Sequence, residues 1–310
     1  MSEKVITSYK AFDKNMQCRG FQYEVGKEYE MDGEIKCCER GFHACKSPME
    51  VWDHYDMLSS RFAEVEQSGK IDGEGNSTKV CSSCIKIKAE LKLADIIKVG
   101  VEWLKDITST SKVKADGVLN DNGDRRKQIG SSGYSAQIGS SGNSAQIGSS
   151  GNSAKIGSSG NSAKIGSSGN SAKIGSSGNY AQIGSSGNSA QIGSSGNYAQ
   201  IGSSGNSAQI GSSGYSAQIC SSGDYAQIGS SGDYAQIDST GEDSVIMCAG
   251  NSSIVKAKAG SWITLSEWEW NDEKNRYVPV CVKTEYVDGN NIKADTWYQL
   301  KNGEFVEVTE

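Results

Sequence analysis

The stretch Ile138-Gly139-Ser140-Ser141-Gly142-Asn143-Ser144-Ala145-Gln146 decides the fold, because the chain repeats it almost unchanged. Isoleucine stands at every ninth position from Ile129 to Ile246, and alanine precedes it by two residues from Ala136 to Ala235. A short fixed period describes a stack of near-identical units, none able to bury its own apolar side alone. Residues two apart on a strand point the same way, so Ser-Ala-Gln-Ile reads as a short strand with Ala and Ile facing in. Gly-Ser-Ser-Gly-Asn reads as a turn, with glycine at the positions of positive φ. Two units close one flattened coil. The expected fold is therefore mainly β, a parallel β-solenoid of nine-residue repeats with about 18 residues per coil. Fourteen isoleucines, two to a coil, give about seven coils, or roughly 34 Å of rod at about 4.8 Å per rung.

Working outward, the solenoid spans 129–255 and the composition changes on both sides of it. Residues 1–105 read as an α+β head. Strands are expected at 4–12, 20–30, 61–68 and 84–92, and a helix at 93–104 with apolar residues at helical spacing. Ser47-Pro48-Met49-Glu50 reads as a helix start running to about Leu58, with Ser47 as its cap and Pro48 at the first helical position. Residues 106–128 form a polar junction. Residues 256–310 read as a C-terminal antiparallel β-meander of four strands (261–270, 277–286, 292–300 and 304–308) that caps the open end.

Composition removes several function classes. The 310 residues carry net charge −6, spread as 22 acids against 21 bases in 1–128, 5 against 3 in 129–255, and 10 against 7 in 256–310. The rod lacks the basic stripe that binding nucleic acid would need. Glycine falls every third residue in collagen, and here it does not. No apolar run is long enough for a membrane helix, and the start lacks the apolar core of a signal peptide, so a cytoplasmic protein is expected. Calcium-binding nonapeptides place aspartate in the turn where this repeat has serine. Lys155, Lys164 and Lys173 replace Gln in three successive units and read as a solvated face. Tyr180, Tyr198, Tyr225 and Tyr234 are the candidate partner-contact residues of the rod, joined by Trp268 and Trp270 of the cap.

Chemistry concentrates in the head. Cys37-Cys38-Glu39-Arg40-Gly41-Phe42-His43-Ala44-Cys45 precedes Cys81-Ser82-Ser83-Cys84. Cys and His suit zinc, and Cys38 (or its neighbour Cys37), Cys45, Cys81 and Cys84 are the candidate ligands, although their spacing matches no standard finger. His43 and Cys45 would share one face of a strand, which puts a Cys–His pair on one side of it, with no third orienting group that the sequence names. Nine cysteines without a secretion signal read as reduced thiols.

Three segments carry a resemblance: Tyr9-Lys10-Ala11-Phe12, Cys18-Arg19-Gly20-Phe21-Gln22-Tyr23-Glu24-Val25-Gly26, and Cys38 to Cys45 followed by Pro48. Over about residues 5–105 the chain resembles a family of proteins encoded by phages, prophages and gut bacteria. Members often carry Gly-Ser-rich repeats and a similar C-terminal segment. The resemblance implies no activity and no site residues, and the extra Cys37 and the Cys81–Cys84 pair depart from it. The expectation is a non-enzymatic, phage-type interaction protein of the bacterial cytoplasm. It would bind a host protein through its solenoid and end domains, and a bacterial defence component is one target it would block. The alternatives are a trimeric structural fibre or spacer of a virion or cell surface, and an enzyme in the head using His43 and Cys45. No cofactor and no membrane contact are expected, and a homo-oligomer remains open.

Overall fold

A computed structural model describes residues 5–73, 78–108, 112–113, 118–121 and 127–309. Most of the junction 106–128 therefore lies outside the described residues. The chain forms two compact units, Met1–Trp103 and Leu104–Glu310.

In the first unit, strand Lys79–Leu91 pairs antiparallel with Phe42–Cys45, which pairs with Ile6–Phe12. Ile6–Phe12 pairs in turn with Arg61–Gly73, which returns to Lys79–Leu91. The ring of pairings closes into a small barrel. Two register shifts, at Glu64/Val65 and Ser68/Ile71, bend the long hairpin enough to close it. Phe12, Tyr23, Phe42, Val65, Ile85 and Ile87 fill the interior. Gln67 is fully buried, accepts a hydrogen bond from Ser8 and donates to Phe42 O and Ser82 Oγ, so no amide is wasted at the closure.

The expected helix from Ser47 is only a 3-10 turn, Met49–Asp53. Pro48, not Ser47, occupies the cap position, and no side chain caps the turn. Glu50 instead accepts a hydrogen bond from Thr78, which draws it away from the capping geometry. The expected strand 20–30 is broken into Phe21–Gln22 and Glu28–Glu30 around Gly26, whose φ is +86°. The helix at 93 is present and runs Leu93–Thr108.

The second unit is the parallel β-solenoid, with about eight turns 18 residues apart. Each repeat contributes one strand, and successive strands alternate between two sheets. The first sheet includes Gln146–Ser149, Lys164–Ser167 and Gln182–Ser185. The second includes Lys155–Ser158, Lys173–Ser176 and Gln191–Ser194. The count exceeds the isoleucine-based seven because Lys112–Val113, Val118–Asp121, Ile254–Ala257 and Trp262–Asn271 pair as further rungs.

The inward-facing residues include one that the periodicity did not single out. The strand is Gln-Ile-Gly-Ser, and its serine is buried alongside Ala and Ile, as in Ala145, Ile147 and Ser149, each 0% exposed. Some of these hydroxyls turn back to the bend: Ser140 Oγ accepts the Gly142 amide at 3.3 Å. The turn also differs from expectation. Positive φ falls on the residue before alanine, Ser144 at 58° and Tyr180 at 57°, not on glycine. The turn glycine serves close approach instead: a Cβ on Gly187 would lie 2.1 Å from Gly169 O in the coil before. The asparagine side chains lace the same edges, each Oδ1 accepting the amide 18 residues on, as from Asn179 to Asn161 at 2.9 Å.

Beyond the repeats, the antiparallel β region is two hairpins, one on each sheet, rather than a single meander. Trp262–Asn271 with Arg276–Tyr286 extends the second sheet, and Tyr298–Lys301 with Glu304–Glu307 extends the first. The solenoid ends as two separate sheet edges, so each needs its own closure. Where the repeat decays, Asp238 replaces a glycine and pairs at 2.9 Å with Lys256, whose Nζ lies 4.9 Å from the Trp297 ring centre.

Candidate functional site

The head holds a cavity of about 820 Å³ whose lining includes Lys10, Cys18, Arg19, His43, His54 and Tyr55. Lys10 lies on Ile6–Phe12, where the alternation suggests a solvent-facing position. Barrel closure buries both faces of that strand, leaving Lys10 5% exposed. Its Nζ donates to His43 O at 2.9 Å and to Cys18 Sγ at 3.5 Å. It also lies 5.6 Å and 5.3 Å from the ring centres of Phe12 and Tyr23. Burial pulls the Lys10 amine below the ordinary lysine range, with nearby Cys18 opposing. Cys18 Sγ meets Tyr55 Oη at 2.7 Å. Burial first, then the bond to Cys18, pushes the Tyr55 phenol up. This corner offers an amine of lowered basicity, a thiol and a phenol beside an aromatic wall.

A second cluster stands at the mouth of strand Phe42–Cys45. His43 lies directly opposite Cys81 on the neighbouring strand, and Cys37 enters from the tight turn Lys36–Arg40. The ligating atoms of Cys37, His43 and Cys81 lie within 4.8 Å of one another. Burial, with the cations of Lys10 and Lys79 behind it, holds the His43 imidazole below its ordinary range. Burial pushes the Cys81 thiol up to about 12, and Cys37 rises for the same reason.

Of the metal candidates taken from sequence, Cys81 belongs to this group, and of the doublet it is Cys37 rather than Cys38 that does. Cys84 is three residues further along the same strand and so points to the other face. Cys38 is exposed, with Lys79 Nζ 3.2 Å from its sulfur. Cys45 is buried and lines the Lys10 cavity together with His43. The doublet Cys37-Cys38 could not reveal which thiol turns inward. Cys38 adopts a left-handed backbone, φ +70°, and that reversal aims its neighbour.

On the solenoid, Tyr180 and Tyr198 stack at 5.1 Å. The row continues through Tyr215, missed because it stands one residue out of register, to Tyr234, with ring centres 5.8 and 5.1 Å apart. Tyr225 precedes a strand of the second sheet and so lies on the opposite edge. Trp270 is half exposed against Tyr277, while Trp268 is tied down by bonds from its Nε1 to Ala249 O and Ser266 Oγ.

The two sheets differ in exposure although their sequences match. Outward Lys164 and Gln182 of the first sheet are 7% and 2% exposed, whereas Lys155, Lys173, Gln191 and Gln209 of the second are exposed. A glycine row floors this open face, forming a shallow trough of about 1220 Å³ from Gln137 to Met247. The glutamine row of the second sheet continues in register as Val245, Trp262 and Tyr286, and its glycine row as Met247, Thr264 and Thr284.

Among the described residues, no helix is long and apolar enough to cross a membrane. No curated protein and no solved structure matches the chain. Residues 6–99, which contain the Lys10 cavity and the Cys37–His43–Cys81 cluster, match the model of a domain of unknown function, DUF7666.

Proposed function

We propose that the chain is a non-enzymatic interaction protein that docks a protein partner on the open face of its solenoid and the adjoining hairpin. One observation carries this reading. The open face ends in an exposed apolar platform where Val245, Met247, Trp262 and Tyr286 adjoin, with Val282 beyond the Thr264–Thr284 pair on the same face, each apolar residue between 41% and 66% exposed. Exposed apolar surface gathered in one patch marks contact sites, whereas single exposed residues are ordinary. The glycine floor beside it lets a partner's backbone or side chains approach the sheet closely. Rigid aromatic side chains add contact area at little entropic cost. The head's resemblance to phage and gut-bacterial proteins makes a bacterial host protein, including a defence component, the first partner to seek.

The test is affinity capture from bacterial lysate with three versions of the chain. They are the intact protein, Met247→Glu with Val282→Glu, and a deletion of residues 139–228, which removes whole coils and keeps the sheets in phase. A partner captured by the intact chain and lost with the glutamate pair places docking on the platform. A partner retained by both altered versions would move the function to the head.

A further inference from the structure

We propose that Cys37, His43 and Cys81 form a binding site for a thiophilic divalent cation, zinc foremost. Two sulfurs and an imidazole nitrogen, all within 4.8 Å of one another, already approach the spacing of a tetrahedral centre. Zinc holds sulfur at about 2.3 Å and nitrogen at about 2.0–2.1 Å, so ligand atoms around it lie about 3.5–3.8 Å apart. A contraction of at most about 1.3 Å separates the cluster from that geometry.

The scaffold fixes all three positions through backbone bonds. His43 faces Cys81 across a ladder whose flanking pairs are Phe42–Ser82 and Ala44–Val80. Cys37 sits in a turn closed by Lys36 and Arg40, each donating its amide to the other's carbonyl at 2.9 Å. The Cys37 amide is anchored on Asp72 Oδ2 at 2.8 Å, and Asp72 is itself the register partner of Cys81 on the third strand. Gly41 brings the turn down onto this floor: its φ is +138°, and a Cβ there would lie 3.1 Å from Cys81 Cβ. Ligands held this way lose little freedom on binding.

The chemistry also fits. His43 Nε2 accepts the Cys38 amide at 2.8 Å, so this nitrogen is unprotonated, and a metal would take its one lone pair in place of that amide. Two thiolates and a neutral imidazole balance a divalent cation without residual charge, which suits a position where Cys81 is fully buried. Three protein ligands leave a fourth position for solvent. This site is independent of the docking face on the solenoid.

The experiment uses the full chain, reduced with a non-chelating phosphine, stripped with a chelator and titrated with cobalt(II) and then zinc. The expected result is one equivalent of cobalt with a thiolate-to-metal charge-transfer band, abolished when zinc displaces it. Changes outside the first ligand shell cost about 10–100-fold in metal affinity, so Cys37→Ser and His43→Ala should each weaken binding by more than that. Cys38→Ser and Cys84→Ser should leave the band intact. If Cys81→Ser fails to fold, Cys37→Ser carries the test, because that residue sits on a half-exposed turn. A reduced chain that takes up no metal overturns the proposal. So does uptake that survives Cys37→Ser, or uptake lost with Cys84→Ser while Cys37→Ser retains it.

Discussion

Head and solenoid both bury cysteines within β-sheet, but they surround them differently. Cys220 and Cys248 of the solenoid each occupy a repeat position otherwise held by glycine or serine, and each is buried away from the other thiols. In the head, Cys18, Cys37, Cys45 and Cys81 stand beside lysine, histidine, tyrosine or one another. A stack with a fixed register sets every residue against its own copy 18 positions away, as the Gln182–Gln200–Gln218 and Asn ladders show. Such a stack builds long rows of one chemistry, which suits a surface. Unlike groups converge only where the chain breaks its own regularity, and the head does so with bulges and left-handed residues at Met16, Arg19 and Cys38.

The largest test of the stacking half of this contrast is Ile183→Asp. Ile183 is fully buried in the continuous Ala–Ile core, and an aspartate there has no cation to meet. The expected loss is about 4–5 kcal/mol or more in the solenoid transition, with protease cleavage appearing inside the rod. An unchanged denaturation midpoint would break the account of the core.

Next in size is Gly187→Ala. The added methyl would press on Gly169 O at 2.1 Å and Gly169 C at 2.5 Å, both backbone atoms that cannot rotate away. Overpacking of this kind costs about 1–3 kcal/mol, sometimes more, because adjacent coils must separate. Equal stability of Gly187→Ala and the parent chain would mean that turn glycines serve only conformation.

These two positions also show how much was legible beforehand. Ile183 could be assigned to the core because period nine, with Ala two residues ahead, admits one inward face. The role of Gly187 could not, because a glycine kept for φ and a glycine kept for closeness look alike in sequence. The same limit applies to the head. His43 and Cys45 were readable as one face of a strand, and both do line the Lys10 cavity. Lys10 itself, in Tyr9-Lys10-Ala11-Phe12, reads as an outward residue until barrel closure buries both faces. Cys37 joins His43 and Cys81 through a turn whose hand no local pattern announces.

Alkaline pH should weaken the rod through its two buried thiols, as it should the head through Cys81. Burial pushes Cys248 from 9.0 up to about 12, and Cys220 rises well above 9.0 with Asp238 adding to the effect. The folded rod keeps both thiols protonated, whereas the unfolded chain releases their protons above 9.0. Stability is therefore full below that value and is lost as pH rises from 9.0 toward about 12. The loss should be about 1 kcal/mol per thiol for the first unit above 9.0. Cys220→Gly restores the repeat residue and should flatten its share of the slope in thermal melts across pH. A slope unchanged in Cys220→Gly would assign the alkaline loss elsewhere.

The smallest stability change belongs to Gly193→Ala, and it separates the two kinds of glycine within one repeat. Gly193 lies on the trough floor, and a Cβ there meets no atom within 4 Å. Its φ is outside the left-handed range, so alanine is unstrained. Restricting the unfolded chain should then stabilise the rod by about 0.4–1 kcal/mol, opposite in sign to Gly187→Ala. The methyl also raises the trough floor where a partner would lie. A chain that melts at the parent temperature or slightly above, yet captures less partner, would show that this glycine row is kept for the surface it exposes. A Gly193→Ala chain that melts lower would instead place the row among the stacking glycines. The distinction between the open face and the coil edges would then fall.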